Sequence, residues 1–205
     1  ALRCVVIPGV DLCRSQTVVF KTPHFRGLHR DGPLSVAEIA LATCAAPTYF
    51  PAHTITSGSL YCDGGIWANN PAMVGIVEAI KIGAERESKL AGSGFGLDVI
   101  SVLSVGTGKA SAVVKPSFFD GLASWAKPLV ELTGLSQSQG VDFQCRYLLP
   151  APRYRRVNFD LPDKSWSLDA IDKIDQLTHF GREAAVAEAT SVVQEFLADE
   201  RPRRV

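Results

Sequence analysis

The order of elements across residues 60–108 limits the fold more than any other feature of the chain. "LYCD" (60–63) reads as a short strand. Asn70 and Pro71 then open a helix: the Asn oxygen can accept a backbone N–H, and proline suits the first helical position because its missing N–H would find no partner there. Met73, Val77, Ile80 and Ala84 recur along one face, Val74 and Ile76 widen it, and Glu78, Lys81 and Glu85 take the wetter side. "LDVISVLSVGTG" (97–108) supplies a continuous β-branched run of the kind buried in parallel sheets. Strand, helix and buried strand make a βαβ unit, and with it a layered α/β domain. The 205 residues suffice for one such domain, and no linker or internal repeat divides them, so 1–205 is read as a single domain.

The flanking segments fit the same layering. Val5–Val10 reads as a strand ended by Gly9 and Asp11, and "TVVFKT" (17–22) as a second. "HFRGLHRDGP" (24–33) is a surface loop, and "LSVAEIALATCAA" a helix capped by Ser35 and closed before Pro47. "TYFPAHTITSG" returns as a loop, and "AGSGFG" (91–96) is a break. Phe118, Leu122, Trp125, Leu129 and Leu132 recur at helical spacing; core packing is the favoured reading and a membrane-facing lid helix the alternative. "RYRRVNF" (153–159) is read as an edge strand, and Ser167–Leu177 and Arg182–Leu197 as two closing helices divided by Gly181.

Composition removes several function classes. Formal net charge is zero, so no strong field invites nucleic acid, and Arg201, Arg203 and Arg204 form a solvated tail. Cys4, Cys13, Cys44, Cys62 and Cys145 show no metal-ligand spacing and are read as free thiols of a reducing, cytoplasmic setting. No run is long enough to span a membrane. The opening "ALRCVVIPGVD" reads as a strand already under way, which suggests a processed chain or a fragment.

Candidate chemistry reduces to one carboxylate. Gly106-Thr-Gly-Lys109 lacks the first glycine and the Ser/Thr of a phosphate loop, so it reads as a strand-end turn. His24, His29, His53 and His179 have no metal spacing; a Ser-His-Asp arrangement through His53 stays open beside its reading as a loop residue. No serine, Ser104 and Ser93 included, has the small neighbours of a nucleophile elbow. Asp63 remains. It ends a strand, where open α/β sheets keep their sites, and Gly64 and Gly65 let the chain turn and leave space beside it; an ordinary Asp-Gly turn is the competing reading. Trp67 either flanks a substrate entrance or packs.

"LATCAAPTYFP" (41–51) followed by "DGGIWANNP" (63–71) resembles the patatin-like phospholipases, including relatives of the calcium-independent phospholipase A2 type. Cys44 stands where that family usually has Ser; "VLSVGTG" and "GVDFQCRYLL" extend the resemblance over most of the chain. The resemblance implies a three-layer α/β/α domain with a mainly parallel central sheet, present here in its C-terminal part. It also implies a lipid acyl hydrolase, a phospholipase A or esterase, working through a Ser–Asp dyad with no cofactor or metal. Asp63 would be the dyad aspartate, with Gly64, Gly65, Asn69, Asn70 and Pro71 supporting the motif. The oxyanion loop and the Gly-x-Ser-x-Gly serine are expected upstream, in the missing N-terminal half of the same domain, so the isolated chain is expected to be inactive. The implied partners are a phospholipid or other acyl-ester lipid and, peripherally, a membrane surface; no nucleic acid is expected. A catalytically inactive patatin-fold binding module is the alternative.

Overall fold

A computed structural model describes residues 4–23, 27–84, 96–110, 122–162, 166 and 169–198, with side chains 110 and 122–128 left aside. Strands β1 (Val6–Asp11), β2 (Gln16–Lys21), β3 (His53–Thr54) and β4 (Leu60–Asp63) form a sheet in the order β2-β1-β4-β3. Helix α1 (Val36–Thr43) packs on it. After β4 come α2 (Gly65–Ala68) and α3 (Ala72–Ala84), then β5 (Val102–Val105) and β6 (Lys109–Ala110). Helix α4 (Leu122–Leu148), β7 (Tyr154–Val157), β8 (Asp160–Leu161) and α5 (Ile174–Val192) complete the described chain. The class is α/β. Its parallel character resides in the pairs β5–β7 and β6–β8, whereas every pairing of the four-stranded sheet is antiparallel. The expected βαβ unit therefore does not close on itself. Both edges of β4 are occupied, by β1 and β3, so β5 pairs with β7 instead, and "RYRRVNF" supplies that partner.

Local chemistry accounts for the strand and helix ends. Asp11, 2% exposed, accepts the N–H groups of Cys13 (2.9 Å) and Arg14 (3.0 Å) and pairs with the Arg14 guanidinium at 2.8 Å, which closes the β1–β2 hairpin. Gly9 does not end β1 as the sequence suggested. It pairs with Val18 and Asp63 inside the sheet, and a Cβ there would stand 2.8 Å from the Phe20 ring. Ser35 caps α1 in a reciprocal capping box with Glu38. Val18, Phe20, Ala42, Ile55 and Tyr61 form one core between sheet and α1; Ile76, Ile100, Val141, Cys145, Leu149 and Tyr154 form another where α3, α4, β5 and β7 meet.

Helix α3 buries a different face from the one its periodicity indicated. Ile76 and Ile82 are buried, while Val77 and Ile80 are exposed. Glu78, expected on the wet side, is buried too, with its Oε1 taking Lys21 Nζ at 2.6 Å and Lys81 Nζ at 3.3 Å. Burial pushes the Glu78 carboxyl up, but the hydrogen bonds and charges of Lys21 and Lys81 outweigh it and hold the group below its ordinary range. Glu38 is held at about 2, first by the Thr56 hydroxyl and then by the N–H groups of Ser35 and Thr56. Both carboxyls bind protons less readily folded than unfolded. Their contribution is therefore complete above the ordinary 4.5 and is lost as pH falls through the depressed folded values. Urea midpoints are expected to fall between about pH 5 and pH 3, and Glu78→Gln should flatten that fall.

Gly181 does not divide the C-terminal helices. A 3₁₀ turn at Ile171–Lys173 leads into α5, which runs unbroken through Gly181 and ends in one π-type turn, Val193–Leu197. Arg155 braces this helix to β7 through Glu188 (2.8 Å) and Glu195. A Cβ at Gly181 would meet nothing within 4 Å. Gly181→Ala is expected to add about 0.5–1 kcal/mol, seen as a higher urea midpoint at unchanged slope.

Candidate functional site

Asp63 ends β4 and is held on three sides through its own backbone and its turn. It sits opposite Gly9 of β1, its N–H donates to Ala45 O at 3.0 Å, and its Oδ1 accepts the Gly65 N–H at 2.7 Å. The other carboxylate oxygen, Oδ2, has no partner among the described residues. The two glycines serve separate purposes. Gly64 has ordinary helical torsions (φ −67°, ψ −17°), so it is not needed for a left-handed turn. A Cβ there would lie 2.4 Å from both C and O of Pro8, so glycine permits the backbone of the turn to lie directly on β1. At Gly65 a Cβ would lie 3.1 Å from Asp63 Oδ1, and its absence clears the carboxylate.

Asp63 lines a cleft of about 1230 Å³. The wall beside it comes from the two motifs read in the sequence: Ala46, Pro47 and Tyr49 from one, Gly65, Ile66 and Asn69 from the other. Thr43 Oγ1 donates to Pro8 O at 2.7 Å and so ties the end of α1 to the strand under Gly64. Thr48, between the lining residues Pro47 and Tyr49, holds φ 74°, a strained value for a β-branched residue.

The Asn-Asn-Pro segment fastens this turn to α4. Asn69 Nδ2 donates to Gly134 O at 3.0 Å. Asn70, 2% exposed, donates its N–H to Gln137 Oε1 (3.0 Å) and its Nδ2 to Ser138 O (3.4 Å). Asn70 Oδ1 accepts the Ala72 N–H at 3.3 Å, so the expected cap is present, and the Pro71 carbonyl accepts the Gly75 N–H at the start of α3. Trp67 packs rather than flanking the cleft: its indole N–H donates to Gly9 O at 3.0 Å.

Ser138, Asp142 and Arg156, which the sequence reading passed over, also line the cleft. Ser104, buried on β5, donates to Asn70 Oδ1 (3.2 Å) and accepts from Arg156 Nη1 (2.6 Å); Arg156 Nη2 reaches Ser138 Oγ at 3.1 Å. Tyr154 donates to Asp142 Oδ1 at 2.8 Å, and burial, reinforced by that carboxylate, pushes its phenol up to about 12. The available signal was the alternation of "RYRRVNF": Tyr154, Arg156 and Asn158 fall on one face of the extended segment.

Other candidates fall away from Asp63. His53 pairs with Tyr61 across β3–β4, and its Nε2 is buried with no partner, so nothing joins it to Asp63 among the described residues. Gly106–Gly108 is no turn but a short link from β5 to β6, which Lys109 opens; Gly106 and Lys109 stay bonded to Val157 O and Phe159 O, and Gly108 holds φ 96°. All five cysteines are free. Of the apolar stripe, Leu129 and Leu132 are exposed rather than core, and Leu129 lines the cleft; Phe118 and the side chains of Leu122 and Trp125 lie outside the described residues. Among the described residues no helix is long and apolar enough to cross a membrane.

Comparison with known proteins agrees with this arrangement. The family model "Patatin-like phospholipase" matches residues 8–76, which contain most of β1 and all of α1, β4 and the Asp63 turn. The chain is 30% identical to a cGAMP-activated phospholipase of Pseudomonas aeruginosa over 83% of its length and 49% of the relative's. It is 37% identical to a cGAMP-activated phospholipase of Vibrio cholerae over 60% of the chain and 34% of the relative. With patatin-like protein 2 of Arabidopsis thaliana the identity is 30%, over 89% of the chain and 51% of that protein. The chain thus spans about half the length, or less, of these curated relatives. With both sequence motifs brought to one wall of one cleft, and with these relatives, the chain belongs to the patatin-like phospholipase family.

Proposed function

We propose that the intact protein is a serine lipid acyl hydrolase and that this chain contributes Asp63 as the base of a Ser–Asp dyad. The observation that carries the reading is the Asp63 carboxylate itself. It lines the cleft, with Oδ1 anchored by the Gly65 N–H and Oδ2 unpartnered among the described residues. A serine hydroxyl from outside this chain would donate to Oδ2 and pass its proton there as its oxygen attacks the ester carbonyl. Asp63 then returns the proton to the departing alkoxide, and accepts one again from the water that cleaves the acyl-enzyme. Anchoring one oxygen fixes the direction of the other, and histidine has no part in the sequence of steps.

Fatty-acid release by the intact protein from phosphatidylcholine vesicles tests the proposal. Asp63→Asn should abolish release and His53→Ala should preserve it. Release that survives Asp63→Asn would sink the dyad, and a wild type that binds vesicles without hydrolysing them would favour a binding module.

A further inference from the structure

We propose that Arg156, with Asn158 beside it, anchors a phosphodiester anion in the cleft that Asp63 lines. Arg14, Arg30, Arg146 and Arg155 each pair with a carboxylate. Arg156, half-buried on the cleft wall, has only the hydroxyls of Ser104 and Ser138 among the described residues. A half-buried guanidinium with no carboxylate partner among the described residues leaves positive charge on the cleft wall, which an anion in the cleft would neutralise. The cleft's own carboxylates do not supply that charge. Asp142 is committed to Arg146 (2.9 Å) and Tyr154, and Asp160 to Lys109 (3.2 Å); Glu131 and Asp63 make no ion pair with Arg156.

The remaining donors converge. The two serine contacts fix the plane of the guanidinium and leave part of its donor fork uncommitted. Asn158 Oδ1 accepts the Gly108 N–H at 2.9 Å, which sets the amide's orientation and leaves its NH₂ as a second donor. A Cβ at Gly106 would lie 2.5 Å from Asn158 Oδ1 and 3.0 Å from Arg156 Nη2, so glycine there leaves room for the Arg156–Asn158 pair. A planar fork beside an amide suits the oxygens of a phosphate diester, which makes Arg156 and Asn158 the residues that would favour a phospholipid over a neutral acyl ester.

This substrate assignment rests on the acyl-hydrolase reading, so the first measurement is one of binding alone. Glycerophosphocholine and inorganic phosphate are titrated calorimetrically into the intact protein. Wild type is expected to bind glycerophosphocholine, with Arg156→Gln weakening it by about tenfold or more and Arg156→Lys falling between. Tighter binding of inorganic phosphate, lost equally in Arg156→Gln, would assign the same site to free phosphate. Absence of binding by wild type, or equal binding by Arg156→Gln with an unchanged melting curve, overturns the anion site whatever the hydrolase assay shows. In that assay the ratio of phospholipid to short-chain neutral ester kcat/KM should fall about tenfold in Arg156→Gln. An equal fall for both esters would make the residue structural.

Discussion

Asp63→Asn in the intact protein is expected to lower fatty-acid release by at least about a thousandfold while leaving the fold in place. Proton transfer by a positioned side chain contributes about 10²–10⁴ in rate, and under the proposed dyad the same carboxylate would serve both acylation and deacylation. Asparagine is the informative replacement because its Oδ1 can still accept the Gly65 N–H that orients the native side chain at 2.7 Å. The turn should therefore survive and only the proposed proton acceptor be lost. Vesicle assays checked against thermal melts separate the two effects. A variant within tenfold of wild type would remove Asp63 from the chemistry; one that is inactive because its melting transition has collapsed would show a structural role instead.

Gly64→Ala is expected to destabilise the protein by about 3 kcal/mol, among the larger effects of a single added methyl. Torsional strain is not the cause, since φ −67° and ψ −17° suit alanine. The cause is the Pro8 carbonyl unit, 2.4 Å from where the new Cβ would stand. Backbone cannot swing aside as a side chain can, and Pro8 is paired with Val19 and also held by Thr43. Either β1 or the Asp63 turn must move. Urea denaturation measures the loss, with Gly181→Ala as a control of opposite sign. A loss under about 1 kcal/mol would mean that the turn relaxes without cost.

Features set by near neighbours were legible in the sequence. The Ser35 cap and the Asn70–Pro71 helix start both depend on residues within three or four positions. Features set by distant partners were not. Glu78 looked solvated because its counter-charge, Lys21, lies 57 residues away. Gly64 read as a hinge because the strand that crowds it belongs to another part of the chain. Gly181 read as a break because isolated glycine lowers helix propensity, yet α5 continues through it, with Arg155 bracing its far end to β7. The site divides the same way. The place of Asp63 at the end of β4 followed from the sequence, whereas the bonds among Asn70, Ser104 and Arg156 form only once β5 and β7 pair in parallel.

The asparagine contacts to α4 also bear on how the site comes together. The Gly65-to-Asp63 bond spans two residues and can form as soon as the turn does, but the bonds from Asn69 and Asn70 to α4 span 65 to 68. Contacts of such separation close late, because the intervening loop must first lose its freedom. The cleft beside the carboxylate is thus completed only when α4 docks, since Leu129, Gly134, Ser138 and Asp142 of that helix line it. A local opening of α4, far short of global unfolding, would dismantle that side of the cleft while every bond of the Asp63 turn stayed intact.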